Sequence, residues 1–456
     1  MSPDIPGVWA DHQAATAWPL VNRPLAEVIC HRAGETITVG RFLAEVAALA
    51  ARLPAQGHAV NLCTDRYHTM LGFAAALQRG HPTLLNADPA PERLRSLSAR
   101  YPGLYVLADG PAAGPLPLVR LDEPVAPSTG ADIARAPLIP ADRMAAIAFT
   151  SGSTGEPTAH AKSWGALVAA ADAAAERFGF RHGDGTPAAI VATVPARHMY
   201  GFETTIMLPL QAAVAHYAGE SFFPTDVLDA LAALPPRRVL VTTPLHLRAL
   251  LAESRRPAPL TAVISATAPL ALGMAEAVER DWDAPMLEIY GATEAGSMAS
   301  RRTAAGPEWL PYRGVQLRQG AVFVPGLGEI AIADALDPLV DGRFRLLGRR
   351  SDLVKLGGRR ASLADLNRLL AEIDGVQDGV FVAPPDVESN PAARLMAYVV
   401  APGYSAEDIQ AALRARIEPV FLPRPIVLVP ALPRNAVGKL SHEALAAMTA
   451  ARASGA

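Results

Sequence analysis

The chain has 456 residues, half of them hydrophobic and 19% charged, and a net charge of −3. That length predicts about three domains, or one large and one small, with enough core to fold unaided. The charge balance excludes a basic nucleic-acid binder; 35 glycines and 41 prolines fall short of a disordered composition; Cys30 and Cys63 are too few for a disulfide scaffold or a cysteine metal cage.

The opening residues MSPDIPGVWADH lack the basic-then-apolar run of a signal peptide. No stretch approaches the ~20 apolar residues of a membrane span, so a soluble cytoplasmic protein is expected. Apolar spacing over 41–53 predicts a helix, 58–64 a short strand, LGFAAALQ a helix, and 81–89 a second strand ending in a turn. Strand and helix then alternate to about residue 290, with strands at AAIAFT, AAIVATVP, RRVLVTT and TAVISA and a long helix at SWGALVAAADAAAERFGF. The pattern is that of an α/β domain with helices packed on mainly parallel sheets.

After Gly296 the texture changes, and 314–347 reads as a small β-rich piece of short runs broken by Gly and Pro. Serine three residues before an acid, at Ser362/Asp365 and Ser405/Asp408, marks helices over 363–373 and 406–417, with strands VFVAPP and LMAYVVAP between them. The final 105 or so residues therefore form a small α+β unit. The predicted division is 1–349 and 350–456, and the tail ARASGA is expected to fray.

The clearest chemical signal is Thr150-Ser151-Gly152-Ser153-Thr154-Gly155-Glu156-Pro157, directly after the strand AAIAF. Two glycines let backbone approach an anion, and hydroxyls and amides supply donors, which suits a polyphosphate. A Gly/Ser loop on its own is more often an ordinary turn. No GK[ST] follows and GxSxG does not occur, so neither a P-loop nucleotidase nor a serine hydrolase is predicted. Downstream, Tyr290-Gly291-Ala292-Thr293-Glu294 follows the strand APMLEI and offers a flat ring for a base and a hard carboxylate for Mg²⁺. Asp334 precedes Arg349 by 15 residues, and its carboxylate suits a vicinal diol; Asp337 and Asp341 are nearby competitors. Near the C-terminus stands Pro433-Arg434-Asn435-Ala436-Val437-Gly438-Lys439.

These motifs, in this order, resemble those of the adenylate-forming enzymes: acyl-CoA synthetases, carrier-domain adenylation proteins and luciferases. TVGRFLAEVAALAARL and GHPTLLNADPAPERL resemble two further family motifs, so the likeness spans nearly the whole chain. The resemblance implies ATP and Mg²⁺ as cofactors. It implies that Thr150 to Gly155 hold phosphates, Tyr290 stacks on adenine beside Ala266, Gly291 and Ala292, and Asp334 and Arg349 hold the ribose. Thr293 would contact the α-phosphate, Glu294 would hold Mg²⁺, and Lys439 would be the catalytic lysine of a mobile C-terminal domain. Ser351 and Asp352 occupy the hinge position, and Gly358, in Lys355-x-x-Gly358-x-Arg360, would line the tunnel for the thiol.

His198, in PARHMYGFE, matches the histidine motif at the acyl pocket and is given a gating or packing role. Tyr200 and Phe202, with the apolar FETTIMLPL read as a strand, would line that pocket. The aspartate that amino-acid-activating members use is missing, which disfavours an α-amino acid. Thr158 stands where the family commonly has a lysine, and Lys162 is the candidate substitute at a terminal phosphate. Only 44 residues separate Tyr290 from Asp334, which implies a trimmed β-domain.

The small size, with TSGSTGEPTAHAKSW and HMYGFE, resembles the ligases that load aryl or acyl carboxylates onto a carrier protein in aryl-polyene and xanthomonadin-type pigment pathways. The implied acceptor is a phosphopantetheine thiol on an acyl carrier protein. Free CoA is the alternative, and a non-catalytic nucleotide binder a second one.

Overall fold

A computed structural model of the chain describes residues 16–32, 34–85, 89–111, 116–121, 135–150, 158–183, 185–219, 221, 223–318, 320–349, 353–356, 359–384, 390, 393–434, 440 and 442–454. The architecture is α/β with two large sheets. In the first, Met144–Thr150, Thr83–Leu85, His58–Asn61, Leu104–Ala108 and Leu118–Arg120 run parallel, and Thr158–Ser163 adds an antiparallel edge. The second has nine strands. Its parallel centre is Met286–Ala292, Leu260–Ser265, Arg238–Thr242, Ala188–Ala192, Val214–Tyr217 and Val28–Arg32, with antiparallel strands at both edges.

Helices join the two sheets into one core. Arg66–Arg79 buries Tyr67 and an unbroken run from Thr69 to Leu77, so it is covered on nearly every side. Its residues share a cluster with Ile29 and Ile37 of the nine-stranded sheet, with Ala59 and Ala146 of the other, and with Phe42, Trp164 and Leu167 of neighbouring helices. Local signals fix the helix ends. Asp65 accepts a hydrogen bond from the His68 backbone N–H at one end, and Gly80 takes a left-handed conformation at the other. Ser163 and Gly179 do the same for Trp164–Phe178.

Beyond Gly296 the chain forms the expected small β-rich piece: a meander of Gln316–Arg318, Ala321–Val324 and Gly328–Ala331, then a hairpin of Asp334–Pro338 with Phe344–Arg349. The C-terminal part holds the hairpin Leu353–Leu356/Arg359–Ser362, the sheet Asp378–Val382, Met396–Val400 and Ile426–Leu428, and three helices. Ser405 and Asp408 form a complete reciprocal capping box, whereas at Ser362 only the bond from the Asp365 N–H is present.

Two expectations need correction. FETTIMLPL is helical, not a strand: Met199–Phe202 leads into a five-residue π-helical turn, Glu203–Met207, and then Leu208–Gln211. The two threonines that favour a strand are satisfied locally instead, Thr204 Oγ1 donating to the Tyr200 carbonyl at 2.7 Å and Thr205 Oγ1 to the Gly201 carbonyl at 2.6 Å. The last helix, His442–Ser454, carries on through four residues of the tail expected to fray.

Candidate active site

The parallel strands of the nine-stranded sheet end at Ala192, Thr242, Ser265 and Ala292, and of the predicted site residues Ala266, Tyr290, Gly291 and Ala292 lie at these carboxyl ends, with Thr293 and Glu294 in the turn that follows. Ligands favour this edge in open α/β sheets. Tyr290 lies near the end of the last of these strands and is 7% exposed. Its ring packs against Trp309 and Phe344, with centroids 5.8 Å away in both cases. Its hydroxyl donates to Asp334 Oδ2 at 2.7 Å. The predicted base-stacking ring and the predicted ribose carboxylate are therefore joined directly. Asp334 also faces Arg349 across the hairpin, so the 15-residue spacing in sequence becomes strand pairing in space. The competitors point elsewhere: Asp337 pairs with Arg345 in the backbone register, and Asp341 is held by Arg343 in an exposed turn.

Gly291 permits the tight return of the chain after this strand. A Cβ there would stand 2.7 Å from the Gly296 carbonyl oxygen and 3.0 Å from Ser297 Cα. Thr293 and Glu294 sit in the turn that Gly291 opens, both partly exposed. Among the described residues no hydrogen bond or salt bridge occupies the Glu294 carboxylate, and no cluster of three His, Cys, Asp or Glu side chains could hold a metal ion. That donor set fits Mg²⁺ bound by one carboxylate together with substrate phosphates, the usual way proteins hold this ion. Behind the turn, Leu270 N–H donates to the buried Glu288 at 3.0 Å, and Glu288 also pairs with Arg301 and Thr303. This network ties the end of the Ala266 loop to the strand carrying Tyr290.

Thr150 ends its strand opposite Thr158, and its hydroxyl hydrogen-bonds His160 Nε2 at 3.1 Å. His160 was not singled out in the sequence. Burial holds its pKa below the ordinary value, while the nearby Glu294 acts in the opposite direction. Ser151, Gly152, Ser153, Thr154 and Gly155 lie outside the described residues, as do Ser351, Asp352, Gly358 and Lys439.

The structure carries Lys162, the candidate substitute for a phosphate-loop lysine, inward to the turn that holds Glu294. It sits four residues along the strand from Thr158, roughly 13 Å, and is only 1% exposed. Its ammonium donates to the backbone carbonyl of Glu294. Burial lowers its pKa to about 8, and Glu203 and Glu294 resist that shift.

At the acyl side, His198 caps the short helix Met199–Phe202, and burial, then Arg197, lowers its pKa to about 4. It is neutral at physiological pH, which suits packing or gating better than proton transfer. Tyr200 donates its hydroxyl to the carbonyls of Ile264 at 2.9 Å and Thr242 at 3.2 Å, at the strand ends, which leaves its ring as a wall. Phe202 departs from expectation. It is fully buried and packs edge-on against Phe73 with centroids 4.9 Å apart, on the core side of the helix. Helical spacing turns it away from Tyr200, where the strand reading would have put both on one face.

Glu203, unremarked in the sequence, accepts hydrogen bonds from the Ser297 backbone N–H at 3.2 Å and from the Ser297 hydroxyl. Burial raises its carboxyl pKa, against the influence of Ser297 and Lys162. Its only advance signal was a single acid inside an apolar run.

Residues 17–342 match the family model described as AMP-binding enzyme, and residues 367–439 match that of the AMP-binding enzyme C-terminal domain. The chain is 30% identical to the 4-coumarate–CoA ligase of Halorhodospira halophila over 314 residues, 64% of this chain and 73% of that protein. It is 27% identical to the isonitrile lipopeptide synthase of Streptomyces coeruleorubidus over 97% of this chain and 33% of that protein. Among solved structures, the Bacillus subtilis o-succinylbenzoate CoA synthetase in complex with an acyl-adenylate intermediate has a TM-score of 0.77 at 19% identity, covering 92% of this chain and 95% of that one. This last likeness is one of fold.

Proposed function

We propose, for a chain that belongs to the AMP-binding enzyme family and is an AMP-forming acid–thiol ligase working through an acyl-adenylate, that it activates an aryl or acyl carboxylic acid and delivers it to the phosphopantetheine thiol of an acyl carrier protein. The observation that supports this reading is the Tyr290–Asp334 hydrogen bond, which joins the two residues we assign to the base and the ribose close to Thr293 and Glu294.

In the first half-reaction the substrate carboxylate attacks the α-phosphorus of ATP, forming the P–O bond of the mixed anhydride while the bond to pyrophosphate breaks. Bringing two anions together makes charge compensation the main task. We assign Lys439 to bridge the carboxylate and an α-phosphate oxygen, and Thr293 to donate to that phosphate. Thr150 to Gly155 hold the β- and γ-phosphates, and Tyr290, Ala266, Gly291, Ala292, Asp334 and Arg349 hold the nucleoside. Glu294 would hold Mg²⁺, which when bound would supply neutralisation of the polyphosphate charge.

In the second half-reaction residues 350–456 turn about Ser351–Asp352, withdraw Lys439 and bring the Gly358 loop to the site. The thiol adds to the acyl carbon, AMP leaves with the bonding electron pair, and the thiol proton passes to solvent. Tethering on a carrier raises the thiol's effective concentration. The narrower likeness to aryl-polyene and xanthomonadin-type ligases supports the carrier. Free CoA is the second reading, favoured by the similarity to a 4-coumarate–CoA ligase.

The test is pyrophosphate release from ATP and Mg²⁺ with a panel of benzoates, cinnamates and medium-chain acids, followed by acceptor assays with CoA and with a phosphopantetheinylated carrier. Acid-dependent pyrophosphate with carrier-selective thioester formation is the expected result. Thioester formed with CoA alone transfers the proposal to the second reading, and no pyrophosphate with any acid overturns it.

A further inference from the structure

The turn that carries Thr293 and Glu294 is held by two side chains of opposite charge from other parts of the chain. At Glu294 the Lys162 ammonium donates to the backbone carbonyl. At Ser297 the Glu203 carboxylate accepts from the N–H at 3.2 Å and from the hydroxyl. Gly296 lies between these two holds with φ +79°, and a Cβ there would stand 2.6 Å from Glu203 Oε1, so the glycine is what lets the carboxylate come close. Lys162 and Glu203 each favour the charged form of the other, so neither enclosed charge stands uncompensated.

Local irregularities in the backbone aim both residues. The edge strand Thr158–Ser163 changes register between Lys162 and Ser163, the kind of defect that redirects a side chain, and Lys162 is buried although its strand lies at the sheet's edge. Glu203 opens the π-helical turn, a rare geometry that recurs at functional sites. His160, two residues before Lys162 and on the same face of the strand, holds the Thr150 hydroxyl. One short strand therefore secures both the first residue of the proposed phosphate loop and the proposed metal-binding turn. Lys162 takes the backbone of Glu294 and leaves its carboxylate without a hydrogen bond among the described residues. A lysine on the carboxylate itself would compete with a cation; on the carbonyl it fixes the turn and keeps the acid available. Apolar side chains at 162 and 203 would fill the space with a smaller desolvation cost, so stability alone gives little reason for two enclosed charges here.

We propose that Lys162 and Glu203 are positioning residues that together clamp the 293–297 turn, so that the Glu294 carboxylate is presented for Mg²⁺ on the phosphates of ATP. This rests on the acid-activating function above. Both residues act through the backbone of the turn.

The experiment measures equilibrium binding of AMP, of ATP in EDTA and of ATP with Mg²⁺ to the full chain by calorimetry, with no acid present, beside hydrogen exchange of the 290–299 segment. Lys162→Met keeps most of the side chain's length and removes its donor. Losing a group that orients a metal ligand typically costs about 10- to 100-fold in metal affinity, so binding of ATP with Mg²⁺ should weaken on that scale. Binding of AMP and of ATP in EDTA should stay as in the unaltered protein, and exchange in the segment should quicken. The double variant Lys162→Met/Glu203→Gln leaves no unpaired charge, and it should lose little more than Lys162→Met alone, because two parts of one clamp are not additive. Unchanged binding of ATP with Mg²⁺ overturns the proposal. Equal loss of all three ligands, or failure of both variants to fold, assigns the two residues to stability and also overturns it. Loss of ATP binding to the same degree with and without Mg²⁺ places Lys162 on the phosphates instead, a third way for it to fail. An unaltered protein whose ATP binding ignores Mg²⁺, and that releases no pyrophosphate with any acid, removes the function on which the proposal rests.

Discussion

The proposed nucleotide end and the proposed acyl end of the site are built around the same sheet, yet they are organised differently. At the nucleotide end Thr293, Glu294 and Asp334 are partly exposed; among the described residues the Glu294 carboxylate has no hydrogen bond and Asp334 accepts one, from the Tyr290 hydroxyl. At the acyl end the polar groups are bonded across the fold: the buried Lys162 donates to the Glu294 carbonyl and Glu203 accepts from Ser297, beside the buried Tyr312, residues drawn from separate stretches of the chain. The first arrangement suits a ligand that brings its own charges and is the same for every turnover. The second suits a support that must hold its place, because an enclosed polar group that loses its partner costs free energy.

The strongest test of this division is Lys439→Ala. If the lysine acts at the reacting phosphorus, pyrophosphate release should fall about 10²–10³-fold, typical for loss of one preorganised charge stabiliser. The loss should be equal for every acid, and thioester formation from supplied acyl-AMP should survive. Gly358→Leu should do the reverse, sparing adenylation and blocking transfer. A Lys439→Ala enzyme that changed its preference among acids would break the comparison, and equal loss of both half-reactions in both variants would count against two domain positions.

A smaller effect separates the ends more finely. Asp334→Ala removes the proposed ribose acceptor and the hydrogen bond it accepts from the Tyr290 hydroxyl, so the KM for ATP should rise about 10- to 100-fold, the scale of a lost hydrogen bond to a charged group. Tyr290→Phe keeps the ring and loses only the anchor, and should raise that KM a few-fold. Steady-state kinetics with two acids checks both, since neither substitution should alter the ratio between the acids. A changed ratio would show that the two ends are coupled through the 290–297 segment.

That segment also explains what could be read in advance. The nucleotide end is spelled in short contiguous motifs, because a phosphate or a base is met by neighbouring residues on one turn, and such strings carry their chemistry openly. Tyr290 through Glu294 is one such string, and the Asp334/Arg349 spacing, read from the sequence, is a strand pairing in the structure. The fold was legible too, since alternating strands and amphipathic helices repeat their signal many times. The acyl end was not, because its contacts join residues far apart in sequence: Glu203 and Ser297 are 94 positions apart, and Lys162 and Glu294 are 132 apart. Lys162 reads as the candidate lysine for a terminal phosphate, and nothing local shows that its strand carries it inward to the Glu294 carbonyl. Glu203 was hidden in a run whose apolar residues and threonines read as a strand. The π-helical turn that points it at Ser297 is a tertiary outcome, fixed by packing against the Trp164–Phe178 and Arg66–Arg79 helices. The same misreading put Phe202 in the pocket.

The smallest expected effect concerns stability and tests whether the acyl end is as enclosed as its geometry implies. His216, fully buried with Nδ1 bonded to the Thr205 carbonyl at 2.9 Å, has a pKa lowered to about 3, chiefly by burial, and His198 is lowered to about 4. In the unfolded chain both titrate near 6.5. Between that value and the folded pKa the unfolded state binds more protons, so folding stability must fall as the pH drops through this window and be regained as it rises. Each group contributes at most about 1.4 kcal/mol per pH unit. Glu203 works against them: its raised folded pKa makes the native state the better proton acceptor, so its own contribution weakens as the pH rises above the unfolded carboxyl range. Two histidines against one acid leave a net loss on acidification, which urea denaturation at pH 7 and pH 5 would measure. His198→Asn should flatten the dependence, and Glu203→Gln should steepen it by removing the opposing group. If neither substitution changes the slope, water reaches these side chains freely, and the contrast between an open nucleotide end and an enclosed acyl end fails.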